Sequence, residues 1–352
     1  MGHVPQIDQI DVTWLAQLLA INDATDLAIT TVGHGQVANC YRLTIRRTGG
    51  SPVSVIAKVP SLDEVSRSTA RLQHLYKREV RFYQHLASIV TTRTPECLFA
   101  ERDDDDNFSL ILEDLSPSAP TDQFAGLSIE HTKTGLAELA GLHGPTHDRA
   151  DLHAAPWLIG VREELSPLYD VVLPLLFDQF IDRYATRLSR DVSTMVRALK
   201  DRLALFSNYA TPHPCVTHGD FRTDNLLIDA QGGVVPLAVV DWQTVGVASP
   251  LLDVAYFLTT SLSSNDCAGL EDELLAFYLT RLAGEGVVIP LDLARHEFAR
   301  YTLQPIVMLV AAAVIVEQTG RGDEMFLAMI ERGVVAATRW RALEELERHA
   351  AS

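Results

Sequence analysis

Hydrophobic and polar positions alternate in the first third of the chain and then fall into a three-to-four spacing. Ala28-Ile29-Thr30-Thr31-Val32 predicts a strand that ends at Gly33-His34-Gly35. Cys40–Ile45 and Val53–Val59 alternate on either side of Thr48-Gly49-Gly50-Ser51, a turn signal that predicts a hairpin. From Arg67 to Ala87 the apolar positions Leu72, Leu75, Tyr76, Phe82, Tyr83 and Leu86 repeat at helical spacing and predict one helix. A charged turn at Asp103–Asn107 leads into a further strand, Ser109–Leu112. Beyond Pro117–Pro120 long helical patterns dominate, at 129–143, 171–188, 192–206, 270–282, 291–316 and 326–348. They are interrupted by a β-like island from Cys215 to Val245. This predicts an α+β chain with a small β-rich part, a larger helical part and a boundary near residues 113–120.

Composition narrows the possible functions. The 352 residues are 47% hydrophobic and 21% charged, which excludes a disordered or collagen-like chain. Twenty-nine basic residues stand against 46 acidic ones, a net charge of −17, so neither nucleic acid nor an anionic membrane is an expected partner. No targeting segment is legible at Met1–Pro5, and the apolar run Ile306–Val316 is shorter than the roughly 20 residues that cross a bilayer. The scattered Cys40, Cys97, Cys215 and Cys267 form no CxxC pair and read as four small buried hydrophobes in a cytoplasmic protein.

The chemistry concentrates in His218-Gly219-Asp220-Phe221-Arg222-Thr223-Asp224-Asn225, followed 16 positions after Asn225 by Asp241 in Val239-Val240-Asp241-Trp242-Gln243. An Asp, an Asn five residues on and a second Asp after a hairpin suit phosphoryl transfer. One carboxylate takes the proton of an attacking hydroxyl, while the amide oxygen and the other carboxylate hold Mg²⁺ on nucleotide phosphates. Upstream, Gly33 and Gly35 open a loop in which backbone N–H groups, Val37 among them, would approach phosphates. Lys58 ends a strand, and Glu79 lies on the following helix where it would pair with Lys58.

In this order the residues resemble the protein-kinase-like fold. More specifically they are similar to the aminoglycoside phosphotransferase and choline kinase superfamily, and most of all to its ecdysteroid-kinase-like branch. The resemblance covers about residues 30–260. It implies an N-terminal nucleotide-binding lobe, 1–115, and a C-terminal helical lobe, 116–352, carrying the catalytic loop and substrate pocket. It implies Asp220 as catalytic base, Asn225 and Asp241 as Mg²⁺ ligands, Lys58 on the phosphates of ATP and Glu79 holding Lys58. Leu112-Glu113-Asp114-Leu115 resembles the adenine-binding hinge, with the Glu113 carbonyl and the Leu115 amide as the contacts. His218 and Asp253 look like a buried pair supporting the catalytic loop. Three features depart from protein kinases: a loop with two glycines only, Trp242-Gln243 after Asp241, and 12 positions from Asp241 to Asp253, too few for a peptide-docking segment.

The implied activity is phosphorylation of a small-molecule hydroxyl, with no protein substrate; a non-catalytic nucleotide-binding scaffold is the alternative. A metal-dependent hydrolase built on His218, Asp220 and Asp241 lacks a second histidine at ligand spacing. His143 and His147 read as core or surface histidines, because Gly144-Pro145 would interrupt their helix, and Asp103–Asp106 reads as a solvated turn. Arg222 would either neutralise the transferred phosphoryl group or pair with Asp224. Trp157, Tyr169, Phe177, Phe180, Tyr256, Phe257 and Tyr301 are candidates for an apolar acceptor pocket, or for core.

Overall fold

Alternation at Leu43/Ile45 and Val55/Ala57 places four apolar side chains on one face of a sheet, and a short helix covers them. In the computed structural model, which describes residues 4–350 apart from 34–36, 106, 120, 208–212, 263–268 and 317, that helix is α1 (Val12–Leu18). Side chains at 159–169, 207 and 349–350 are likewise outside the described set. The Asp11 carboxylate caps α1 by accepting from Trp14 N–H at 2.8 Å, and Leu15 and Ala16 supply its buried face. With only two buried positions in seven residues, α1 leaves almost no periodic signal in the sequence.

The strands are β1 (Ala24–Thr31), β2 (Ala38–Arg47), β3 (Val53–Pro60), β4 (Cys97–Arg102) and β5 (Phe108–Glu113), in the antiparallel order β1-β2-β3-β5-β4. The expected hairpin joins β2 to β3, with Cys40 opposite Lys58. The helix expected over 67–87 is two helices, α2 (Glu64–Leu72) and α3 (Leu75–His85). His74 takes a left-handed conformation at φ 53°, which ends α2 and redirects the chain. This sheet and its helices belong to a first compact unit, residues 1–89, 93–118 and 229–245. That unit also holds a turn at Ala230–Gly233 and strand β8 (Val235–Val239), whose Val239 N–H donates to the Arg93 carbonyl at 2.8 Å.

The second unit, residues 90–92, 119–228 and 246–352, is mainly helical. Its helices are α4 (Ile129–Thr146), α5 (Ala150–His153), α6 (Pro156–Arg183), α7 (Arg190–Lys200) and α8 (Leu203–Ser207). After two short strands, β6 (Cys215–Thr217) and β7 (Leu226–Asp229, the last residue of which falls in the first unit), and β9 (Gly246–Ala248), which pairs with β6, come α9 (Pro250–Ser261), α10 (Glu271–Gly284) and α11 (Leu291–Tyr301). The chain closes with α12 (Gln304–Ile315), α13 (Gly320–Arg339) and α14 (Ala342–Ala350). Three of the long helical patterns are therefore each broken in two, at 201–202, 302–303 and 340–341. Phe177 and Phe180 of α6, candidates for an acceptor pocket, lie instead in the helical core with Val196, Ile306, Phe326 and Ile330.

Gly144-Pro145 does not interrupt α4. A proline inside a helix frees the carbonyl four residues earlier. Here that carbonyl, Gly141 O, is taken by Thr91 N–H at 3.0 Å, so the helix continues to Thr146. On the same helix a Cβ at Gly135 would lie 2.7 Å from the Phe257 ring, so only glycine lets α4 and α9 approach this closely. Residues 291–315 are long and apolar enough, by length and composition, to cross a membrane, and 67% of their most apolar 18-residue window is buried within the protein. Among the cysteines only Cys215 is buried; Cys40 and Cys97 are half-buried thiols, and Cys267 lies outside the described residues.

Candidate active site

In the first unit, β3, α3 and the turn after β8 bring three charged groups together. Lys58 follows the alternation of β3, with its ammonium 2.8 Å from Glu79 Oε1 and 2.7 Å from Asp241 Oδ1. Glu79 shares the buried face of α3 with Tyr76, Phe82 and Tyr83, so the same periodicity that builds the helix core delivers the carboxylate. Asp241 adopts a left-handed backbone at φ 69°, and Trp242 beside it is fully buried, stacked on Phe82 with ring centres 3.8 Å apart. Burial alone would lower the Lys58 pKa, but the Asp241 and Glu79 carboxylates outweigh it and hold it well above the usual lysine range. Lys58 is a permanent cation.

Of the expected phosphate loop, Gly33 is left-handed at φ 66° with open space where a Cβ would stand. Gly35 lies outside the described residues. The Val37 carbonyl is anchored by the Tyr76 hydroxyl. The expected hinge is braced from within its own unit. Both Glu113 carboxylate oxygens accept from Arg93 (2.8 and 2.9 Å), one also from Gln231 Nε2 (2.9 Å), and Gln231 N–H donates to the Leu115 carbonyl at 2.9 Å. The expected adenine contacts, the Glu113 carbonyl and the Leu115 amide, are therefore main-chain groups on a fixed segment.

In the second unit the loop after β6 carries Asp220. Its Oδ1 accepts from the Tyr256 hydroxyl at 3.0 Å and its Oδ2 from Asn225 Nδ2 at 3.0 Å. Arg222 Nε lies 3.3 Å from Oδ1 and 3.4 Å from Oδ2. Arg222 also pairs through Nη1 with Asp224, so it engages both carboxylates. Asn225 Nδ2 further donates to the Asp220 carbonyl at 2.8 Å. With its nitrogen so committed, the Asn225 amide presents its oxygen as the remaining donor. Burial and the neighbouring Asp220 carboxylate push the Tyr256 phenol well above the usual tyrosine range, which keeps it a proton donor.

Asp253 supports this loop from α9. Its Oδ2 accepts from the His218 backbone N–H at 2.6 Å and its Oδ1 from Gly219 N–H at 2.9 Å. His218 is thus reached through its main chain, and the side chain that meets Asp253 is His143, Nε2 to Oδ2 at 3.2 Å. His143 Nδ1 lies 2.8 Å from the Tyr278 hydroxyl, and all three groups are buried. The His143 contact and the Tyr256 hydroxyl were not legible as parts of the site. The available signal was spacing: Tyr256 follows Asp253 by three positions and shares its helix face.

Asn225 and Asp241 both offer oxygen, the donor that a hard divalent cation takes. Asp241 is part-exposed, with Oδ1 on Lys58 and Oδ2 3.3 Å from Gln243 Nε2. No cluster of three or more His, Cys, Asp or Glu side chains suited to a metal occurs among the described residues. Asn225 and Asp241 are each, in their own units, the kind of oxygen donor that a cation also carrying phosphate and water takes.

A sequence model described as the ecdysteroid kinase-like family matches residues 33–286. No curated protein matches the chain. Among solved structures the chain is similar to a microcompartment-associated aminopropanol kinase, with TM-score 0.54 and 13% identity over 96% of this chain and 99% of that one. It is also similar to an aminoglycoside 2'-phosphotransferase-IIIa in its GDP complex, with TM-score 0.52 and 14% identity over 92% and 96%. A GDP and kanamycin complex of an APH(2")-IIIa enzyme gives TM-score 0.51 and 15% identity over 96% and 98%. At these identities the likeness is one of fold, the protein-kinase-like two-lobe class.

Proposed function

The chain belongs to the ecdysteroid kinase-like family, and on that premise we propose that it is an ATP- and Mg²⁺-dependent phosphotransferase acting on a hydroxyl of a small molecule. The observation that carries the reading is the Lys58–Glu79–Asp241 cluster, a buried cation held between two carboxylates by residues up to 183 positions apart. Residues 1–115 serve as the nucleotide-binding lobe, and 116–352 as the lobe with catalytic loop and acceptor pocket. The small-molecule kinases named above support an acceptor of that size, amino alcohol or aminoglycoside being the kinds their names record.

Asp220 accepts the proton of the acceptor hydroxyl as that oxygen attacks the γ-phosphorus and the bond to the β-phosphate oxygen breaks, leaving ADP. Lys58 contacts the phosphates, with Glu79 holding the ammonium in place. Backbone N–H groups of the segment that carries Gly33, Gly35 and Val37 would approach the phosphates. The Glu113 carbonyl and Leu115 amide hold adenine. The Asn225 amide oxygen and the Asp241 carboxylate would hold the cation, which when bound would offset charge on the phosphate oxygens. Catalysis then rests on positioning and fixed charge.

Calorimetric titration of the protein with ATP, with and without Mg²⁺, tests the nucleotide half of the reading. Mg²⁺-dependent binding is expected for the wild type and not for Asp241→Asn. A panel of hydroxyl compounds with ADP release as readout then tests transfer. Absence of ATP binding by the intact protein would overturn the proposal.

A further inference from the structure

The terminal torsion of an aspartate is broad and roughly two-fold, so its own rotamer preference does not aim a particular lone pair. A general base needs that aim, because the proton it accepts arrives along one direction. In the second unit two donors stand at opposite ends of the Asp220 carboxylate. Asn225 Nδ2 holds Oδ2 at 3.0 Å, and the Tyr256 hydroxyl holds Oδ1 at 3.0 Å. Arg222 Nε, 3.3 and 3.4 Å from the two oxygens, lies along the edge between them. The carboxylate remains 24% exposed, so lone pairs not taken by these donors stay accessible.

Tyr256 is placed for this by the helix that carries it. Asp253 and Tyr256, three residues apart on α9, face the same loop. Asp253 takes the backbone N–H groups of His218 and Gly219, while Tyr256 reaches the side chain of Asp220 itself. The other buried hydroxyls at the end of α9 behave differently. Thr259 and Thr260 bond to carbonyls of their own helix, at 2.7 Å each. Tyr256 alone among these three spends its hydroxyl on a side chain 36 positions away. Tyr256 is 2% exposed and lies in the core, not on a solvated surface.

We infer that Tyr256 is a positioning residue for the base, its hydroxyl fixing the rotation of the Asp220 carboxylate against Asn225. The inference rests on the kinase reading, since it concerns how Asp220 is aimed in that reaction. Tyr256→Phe removes one oxygen atom and retains the buried ring.

Steady-state kinetics of wild type, Tyr256→Phe, Asp220→Ala and the double variant, with ADP release as readout, test it. The expected result for Tyr256→Phe is a fall in kcat of about 10–100-fold, the scale of a misplaced catalytic group. KM for ATP and for the acceptor stays within about two-fold, and the unfolding midpoint within a few degrees. Against Asp220→Ala, whose residual rate is read at high enzyme concentration, adding Tyr256→Phe changes kcat by less than about two-fold, because a positioning role has no object once the carboxylate is gone.

An unchanged kcat in Tyr256→Phe overturns the inference, as does a rise in either KM at constant kcat. The same fold-loss in the Asp220→Ala background overturns it too, because the hydroxyl would then act independently of the base. A Tyr256→Phe protein that does not fold assigns the hydroxyl to stability and likewise overturns it. Failure of the wild type to transfer phosphate to any acceptor sinks the kinase reading and this role with it. A fully active wild type beside an unimpaired Tyr256→Phe sinks this role alone.

Discussion

In the first unit an ammonium lies between two carboxylates at 2.8 and 2.7 Å, whereas in the second a single carboxylate is held by a phenol, an amide and a guanidinium. The first cluster is nearly closed: Glu79 is fully buried, and Lys58 is spent on its two acidic neighbours. The second is open on one side, with Asp220 24% exposed. Under the proposed kinase function, the difference follows from what each would do. A group that neutralises phosphate charge has to stay charged, and in a desolvated setting only opposite charges nearby secure that. A group that takes a proton has to retain a reachable lone pair, and hydrogen bonds aim a carboxylate without closing it off.

The strongest challenge to this contrast is Asp220→Asn. Turnover is expected to fall by roughly 10²–10⁴-fold, while calorimetry finds ATP binding intact, because Lys58, Glu79 and Asp241 are untouched. Full turnover in that variant would remove the distinction between a binding cluster and a proton-accepting one. Asp253→Ala comes next. It strips the His218 and Gly219 N–H groups and the buried His143 ring of their shared acceptor. A stability loss of about 3 kcal/mol or more is expected for buried polar groups left unpaired in this way. A urea midpoint equal to that of the wild type would show that the loop does not depend on Asp253.

The smallest expected effect concerns a carboxyl whose hydrogen bond and nearby charge do not offset its burial. Glu297 of α11 is buried, and its Oε2 accepts from the Ser249 hydroxyl that also caps α9. Burial pushes its pKa from 4.5 up to about 7, against the Ser249 bond and the Arg300 charge. The folded protein therefore holds a proton that the unfolded chain releases at lower pH, and stability falls as pH rises from about 4.5 through about 7. Glu297→Gln removes that dependence. At pH 8 the variant is expected to be more stable than the wild type by at most about 3 kcal/mol, and at pH 4 the two coincide. Thermal unfolding at both pH values decides the matter; equal midpoints at pH 8 would show that Glu297 is not titrating in this window.

Much of this arrangement is legible before any coordinates. Alternation marked β2 and β3, and three-to-four spacing marked α3 and α4, because both periods record which face is buried. Helix ends were less legible. The breaks at 73–74, 201–202, 302–303 and 340–341 leave the apolar period nearly in phase, so the pattern runs across them. Pro145 misled in the other direction: it would end α4 in isolation, but Thr91 takes the carbonyl it frees.

For the site, the sequence alone determined residue types and order: Lys58 on a strand, Glu79 on the helix after it, then His218-Gly219-Asp220, Asn225 and Asp241 at fixed spacings. Those spacings are local, and local backbone geometry is what a sequence motif encodes. Which groups touch was decided by tertiary structure. Lys58 meets Asp241 across 183 positions, and Asp220 meets Tyr256 across 36. Nothing in a tyrosine on an apolar helix distinguishes a core ring from one whose hydroxyl reaches Asp220. That depends on where α9 packs, and the packing is set by the close approach at Gly135 and by buried groups throughout the helical unit.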